Sequence, residues 1–317
     1  MQALRKFSEE VHEGLSKSPK QLPSKYFYNA KGDALFQQIM SMPEYYLTRA
    51  ELEIFQTQSA AIIEALRLKP YRHFELVELG AGDGTKTVEL LQALQRKEYR
   101  FDYMPIDISA NALALLEASI LQAVPGLSLQ KQQGDYFELL GNLKNSTHPK
   151  VVLFLGSNIG NMRDAQAKTF LEKLASNLNA GDALLLGVDL IKSADVVLPA
   201  YNDKRGITRA FNLNLLQRIN DDLDADFCLK SFEHTPEYCE DVGVAKSYLA
   251  STKDQVVTIK HLGEQYTFEE GEKIHTEISR KYDDAVINEI IEGSGLQIHT
   301  RFTDTDALFA DYILIKQ

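Results

Sequence analysis

The segment Val77-Glu-Leu-Gly-Ala-Gly-Asp-Gly-Thr-Lys-Thr87 constrains what this chain can fold into more than any other stretch. Leu76 to Leu79 are apolar around one acid, Glu78, and read as a buried strand. Gly80, Ala81 and Gly82 permit a tight turn, and Val88, Leu91 and Leu94 then fall at helical spacing within Thr85 to Gln95. A strand that turns through glycines into a helix opens a nucleotide-binding unit, and the spacing separates the ligands. A dinucleotide fingerprint, G-x-G-x-x-G, needs its third glycine where this chain has Thr85; the loop here reads G-x-G-x-G. Glu78 ahead of the first glycine and a short polar loop suit S-adenosylmethionine better, because that ligand brings a sulfonium cation and an amino-acid group and no pyrophosphate. Other nucleotide folds, or a plain strand-turn-helix, are the competing readings of this motif alone.

Downstream residues extend the pattern. Phe101 to Ile106 is a second, mostly apolar run that ends at Asp107, 24 residues after Asp83, where a doubly wound fold places an acid for the ribose hydroxyls. Asp107 or Ser109 can also cap a helix over Asn111 to Ala118. A third strand end at Gly134-Asp135-Tyr136-Phe137 offers a carboxylate to an adenine amino group and an aromatic ring beside it. Val151 to Leu155 is fully apolar, as a central parallel strand should be, and stops at Gly156-Ser-Asn-Ile-Gly-Asn161, small and amide residues where an open α/β sheet binds substrate. A helix over Asp164 to Asn177 leads to a fifth strand, Ala183 to Val188. Gln297 to Thr300 and Leu308 to Ile315, split by Asp304-Thr-Asp306, form a closing hairpin. The expected fold is α/β: a Rossmann-like, seven-stranded sheet resembling that of class I methyltransferases, with a second α+β lobe.

The expected division is a helical N-terminal segment, 1–71, contributing to the substrate lobe; a cofactor-binding core of 72–200 and 286–317; and an inserted substrate lobe, 201–285. Neither outlying piece reads as disordered, since the first carries Tyr26, Phe27, Tyr28, Phe36, Tyr45 and Tyr46 and no low-complexity tract occurs. With 34 basic against 45 acidic residues and a formal charge of −11, a phosphate backbone is repelled on average, so a small-molecule or protein substrate is expected and no nucleic-acid partner. Met1 to Ser18 mixes charges without a signal peptide's apolar core, and nowhere do about 18 consecutive apolar residues occur, so a cytoplasmic protein without membrane attachment is expected. Cys228 and Cys239 form no metal or redox motif, the seven histidines are scattered, and no metal is expected.

Several further segments carry a family resemblance over nearly the whole chain. They are Leu22-Pro-Ser-Lys-Tyr-Phe-Tyr28 with Gly32 and Leu35-Phe36; Pro43-Glu-Tyr-Tyr46 with Thr48-Arg-Ala-Glu51; Phe154-Leu-Gly-Ser-Asn-Ile-Gly-Asn161; Asp189-Leu-Ile-Lys192; Ala200-Tyr-Asn-Asp203 with Gly206-Ile-Thr208 and Phe211-Asn212; and Thr276-Glu-Ile-Ser279 with Lys281-Tyr282. Together they resemble the L-histidine Nα-methyltransferases that make hercynine for ergothioneine biosynthesis. By position, the resemblance implies S-adenosylmethionine contacts at Gly80, Gly82, Lys86, Asp107, Asp135 and Tyr136. It places Tyr28, as the catalytic residue, and Tyr45 at the reacting amino group, Asn161 and Tyr201 on the amino-acid backbone, and Glu277 and Ser279 on the imidazole. Repeated transfer to the trimethylated product is implied in the same way.

The chemistry makes these residue types sensible. Glu277 can accept from one ring N–H and Ser279 can serve the other nitrogen in either sense. Paired tyrosines beside an amine that becomes a quaternary ammonium favour cation–π stabilisation of roughly 0.5 to 2 kcal/mol per ring. Competing structural readings are a half-buried strand with Glu277 and Ser279 facing solvent, a solvated helix lysine at position 86, and an ordinary aromatic core around Tyr28. The chain departs from the family pattern at Lys246-Ser247, where Glu-Met is common; Ser247 replaces a methionine expected at the substrate ring and leaves a larger or more polar pocket. That departure keeps open an Nα-methyltransferase of tryptophan or tyrosine. A protein or peptide methyltransferase, or a cofactor-binding protein without small-amine activity, is also compatible with these residues.

Overall fold

The computed structural model describes residues 2–134, 141 and 146–317, so that Asp135 and Tyr136 lie outside the described residues. The chain forms two compact units, one of Met1–Tyr46 with Lys192–Ser279 and one of Leu47–Ile191 with Arg280–Gln317.

The second unit begins with α3 (Leu47–Ala65) and then alternates: β1 (Phe74–Leu79), α4 (Thr85–Arg96), β2 (Phe101–Asp107), α5 (Ala110–Ala123), the short β3 (Ser128–Leu129) and β4 (Gln132–Gln133), β5 (Lys150–Phe154), α6 (Asp164–Ala175) and β6 (Ala183–Asp189). After the excursion into the other unit come α9 (Asp284–Ile291), β13 (Leu296–Thr303) and β14 (Phe309–Lys316). Among the described residues the strand order is β13-β14-β6-β5-β1-β2-β3, with β4 also paired to β2. The strands from β6 across to β3 run parallel, and β14 is antiparallel to both β6 and β13. All residues of β5 and β6 are buried, as parallel strands covered on both faces require. Their side chains share a core with Phe170 and Leu171 of α6 and Ile287 and Ile290 of α9. The chain winds outward from β1 to β3 and returns on the other side at β5, so the order reverses between β1 and β5. Ligands of such sheets bind outside the carboxyl ends of the strands at that reversal.

The unit boundaries differ from those expected. α3 buries Leu47, Ala50, Ile54, Phe55, Ile62 and Ile63 along one stripe and packs on α4, β13 and β14, so the sheet unit starts at Leu47 in place of residue 72. The other two changes of unit fall after Ile191 and after Ser279, because Asp189 pairs with Lys281 at 2.7 Å, both fully buried, and Leu190 bridges Tyr282.

The first unit contains α1 (Gln2–Leu15), a 3-10 turn over Ser24–Phe27, α2 (Ala30–Met40), α7 (Ala194–Tyr201) and α8 (Ile207–Leu223). Its strands are β7 (Phe232–His234), β8 (Glu237–Cys239), β9 (Val244–Ser251), β10 (Gln255–Ile259), β11 (Glu264–Phe268) and β12 (Lys273–Arg280). One sheet has the order β12-β9-β7 with β8 on β9, and β10 pairs with β11. Phe7, Val11, Phe27, Phe211, Leu215, Phe232, Leu249 and Ile274 close into one core, so the aromatic N-terminal segment and the insertion bury each other's apolar faces. Asn29 caps α2, its Oδ1 accepting from Gly32 N–H at 2.8 Å and from Asn214 Nδ2 at 3.0 Å. Asn29→Ala removes the cap and strands a donor on buried Asn214; urea unfolding is expected to report a loss of about 2 kcal/mol.

Candidate active site

The glycine loop follows β1 in the left-handed backbone its residues allow. Gly80 has φ +70°, and a Cβ there would stand 3.1 Å from Asn158 Nδ2 in the turn after β5. Gly82 N–H donates to Asp107 Oδ2 at 3.3 Å, and Asp107 Oδ1 accepts from Ser109 N–H at 2.9 Å. Burial raises the Asp107 pKa against the pull of these N–H donors. Of the two residues expected to cap α5, Ser109 does so, accepting from Ala112 N–H at 3.1 Å. Glu78, the acid ahead of the first glycine, lies in the core. It is buried, with Oε1 accepting from Thr87 Oγ1 at 2.8 Å and Oε2 from the Tyr103 hydroxyl at 2.5 Å, and burial lifts its pKa to about 7 despite both donors.

Lys86, in the first turn of α4, is not the solvated helix lysine that its position allows. Its ammonium contacts the carboxylate of Glu51, which is fully buried on α3. Burial works against the charge, but Glu51, Asp311 and Glu78 together keep the Lys86 pKa raised. Glu51 also accepts the Gly156 N–H, at 2.8 Å and 3.1 Å to its two oxygens, where β5 ends. Gly156 leads through Ser157 into the 3-10 turn Asn158–Asn161, whose last residue, Asn161, is exposed. The cationic Lys86, the Asp107 carboxylate held by loop N–H groups and the uncrowded backbone at Gly82 fit a ligand carboxylate, ribose hydroxyls and an extended nucleoside respectively.

In the first unit, four predicted residues meet on neighbouring strands and one helix end. Tyr201, at the end of α7, donates from its hydroxyl to Ser279 Oγ on β12 at 2.7 Å. Ser247 on β9, only 1% exposed, donates to Glu277 Oε2 on β12 at 3.3 Å. Ser279 is buried and Glu277 half-buried, so Ser279 at least does not face solvent. Thr276, on the opposite face, bonds Asn212 Oδ1 at 2.8 Å and the Ser247 carbonyl at 3.0 Å, tying β12 to α8 and β9. Tyr28 and Tyr45 flank the Phe36 ring, with centroids 5.6 Å and 6.4 Å away, both edge-on. Tyr28 is 36% exposed, and Arg218 donates to the carbonyls of Tyr26 and Tyr28 at 3.0 Å and 3.1 Å, fixing that turn. No local pattern in the sequence joins Lys192 to Tyr46, yet the lysine ammonium lies 4.6 Å from the ring centroid and 3.1 Å from the hydroxyl. Among the described residues no cluster of three or more His, Cys, Asp or Glu could hold a metal ion, and no helix is long and apolar enough to cross a membrane.

A glycine loop at the end of β1, an acid at the end of β2 that holds it, and a parallel sheet closed by an antiparallel hairpin define a class I methyltransferase that uses S-adenosylmethionine. Residues 7–316 match the family model described as "Histidine-specific methyltransferase, SAM-dependent", and the chain belongs to that family. It is 39% identical over 299 residues to a histidine N-alpha-methyltransferase of Mycolicibacterium smegmatis, covering 94% of this chain and 90% of that protein. A histidine N-alpha-methyltransferase of Mycobacterium tuberculosis is 36% identical, with 93% and 90% covered. The ergothioneine biosynthesis protein 1 of Schizosaccharomyces pombe is 31% identical over 98% of this chain and 40% of that longer protein.

Proposed function

We propose that this protein transfers methyl groups to the α-amino nitrogen of L-histidine, up to the trimethylated product hercynine. The observation that carries the reading is the convergence of Glu277, Ser279, Ser247 and Tyr201 on one polar surface of the first unit. Glu277 accepts from one imidazole N–H, and Ser279, its hydroxyl already receiving a bond from Tyr201, donates to the other ring nitrogen. A ligand lacking two ring nitrogens leaves both groups unpaired, which is how a polar site reaches discrimination of roughly 10⁴. Tyr201 and Asn161 hold the amino-acid backbone.

S-adenosylmethionine, when bound, supplies a methyl carbon made electrophilic by the sulfonium. Lys86 holds its carboxylate, Asp107 accepts from its ribose hydroxyls, and Gly80 and Gly82 let the backbone approach. Tyr28 and Tyr45 present ring faces and hydroxyls to the substrate amine, and Tyr28 relays the proton that the amine must lose before each attack. Alignment of the two reactants lowers the barrier by up to roughly 7 to 11 kcal/mol, so no covalent intermediate is required. Both reactants are small and soluble, in keeping with a cytoplasmic enzyme that has no nucleic-acid partner.

Ser247 favours a second reading, methylation of tryptophan or tyrosine, because it is smaller than the methionine common in the family. Its bond to Glu277 supports histidine instead: the hydroxyl adds a donor to the carboxylate that reads the ring. Calorimetric titration with L-histidine, in the presence of S-adenosylhomocysteine, is expected to give micromolar-range binding. Mass spectrometry of turnover mixtures should then find histidine carrying one to three added methyl groups. Cofactor binding without histidine binding, together with methylated tryptophan or tyrosine, would establish the second reading in its place.

A further inference from the structure

Glu51 belongs to none of the roles above, yet it is an acid in the buried stripe of α3. Such an acid is retained in a core only when its charge is answered. Two answers are present. One is the Lys86 ammonium on the first turn after the glycine loop; the other is the Gly156 N–H, taken by both carboxylate oxygens. A second carboxyl, Asp311 on β14, is also fully buried, and neither of its oxygens has a hydrogen-bond partner among the described residues. Glu51 Oε1 and Asp311 Oδ1 both border the space a side chain at Gly187 would fill, so glycine on β6 leaves room for the two carboxyl groups. Burial first and the Glu51 charge second raise the Asp311 pKa, which favours its neutral form, and it is Glu51 that pairs with the Lys86 ammonium.

We propose that Glu51 is a positioning residue of the cofactor site: from α3 it holds the Lys86 ammonium charged and aimed, and pins the Gly156 turn, so that glycine loop and substrate turn keep one arrangement. This rests on the reading of Lys86 as the ligand of the cofactor carboxylate. The groups facing Lys86 are Glu51 from α3, Asp311 from β14 and Glu78 from β1, with Tyr103 of β2 bonded to Glu78. Without the Glu51 charge, burial opposes the protonated lysine, and Lys86 loses its proton as pH rises.

Calorimetric titration with S-adenosylhomocysteine tests this without any amino-acid substrate. Glu51→Gln keeps the shape and an acceptor for Gly156 but removes the charge; it should weaken binding about tenfold relative to wild type, the size of one lost charge-assisted bond, with the ratio widening from pH 7 to pH 9. Because Glu51 acts through Lys86, the double variant Glu51→Gln/Lys86→Gln should bind no more weakly than Lys86→Gln alone. Additive losses, or wild-type affinity in Glu51→Gln while Lys86→Gln is impaired, would overturn the positioning role alone. Wild-type affinity in Lys86→Gln would overturn the cofactor contact and this inference with it. Should Glu51→Gln fail to fold, Glu51→Asp carries the test: it retains the charge, affinity within about threefold of wild type is expected, and a loss of about tenfold or more would count against the assignment.

Discussion

Glu277→Ala is expected to lower kcat/KM for L-histidine by ~10³-fold or more, while S-adenosylhomocysteine affinity stays within about threefold of wild type. The carboxylate sits on β12, neither exposed nor remote from donors, with Ser247 bonded to one oxygen. That bond is long for a hydroxyl–carboxylate pair. Alanine deletes the acceptor and strands the imidazole proton, a penalty apolar contacts cannot offset. The loss should be selective, so that the preference for histidine over tryptophan and tyrosine collapses along with the rate. Initial rates with all three amino acids measure it. A kcat/KM within about tenfold of wild type would mean that Glu277 does not read the ring.

The second large effect concerns stability. Glu78 has a pKa of about 7 in the folded protein against an ordinary value of 4.5, chiefly because burial penalises the charged carboxylate. An acid whose folded pKa is raised gives up its proton more readily when unfolded. Stability is therefore lost as pH rises from about 4.5, and the full cost is present above about pH 7. At about 1.4 kcal/mol per pH unit, the gap is worth about 3 kcal/mol. Glu78→Gln has no proton to lose, so its stability relative to wild type should improve by about that amount between pH 4 and pH 8 in urea unfolding. A difference that does not change with pH would show that Glu78 titrates normally. In the sequence the acid reads as part of the ligand loop; Thr87 and Tyr103 show that it serves the packing beneath that loop.

The parts of the molecule legible in sequence are those governed by local periodicity. β5 and β6 are continuous apolar runs because both faces are covered, and α4 follows the loop because Val88, Leu91 and Leu94 recur at helical spacing, with Leu91 and Leu94 buried and Val88 half-buried. The partner of each charged group was not legible. Lys86 is 35 residues from Glu51, and nothing local distinguishes it from a lysine in water. Glu51 did carry a signal: it occupies the stripe of Ala50, Ile54 and Phe55, where an uncompensated acid would be intolerable. The unit boundary was misplaced for a related reason, since an amphipathic helix shows that it has a buried face but not which sheet covers it.

The amino-acid sequence by itself determined the α/β class, the glycine loop and the acid at the end of β2, because those features depend on spacing within a few tens of residues; the polar residues that suit a histidine reader were implied by a family resemblance spread over nearly the whole chain. Only the tertiary structure decided that Tyr201 meets Ser279, that Ser247 meets Glu277, and that Glu51 answers both Lys86 and Gly156. Those pairings join segments from 30 to 105 residues apart. Their existence depends on burial, where water no longer satisfies a charge or a hydroxyl and the fold must provide the partner.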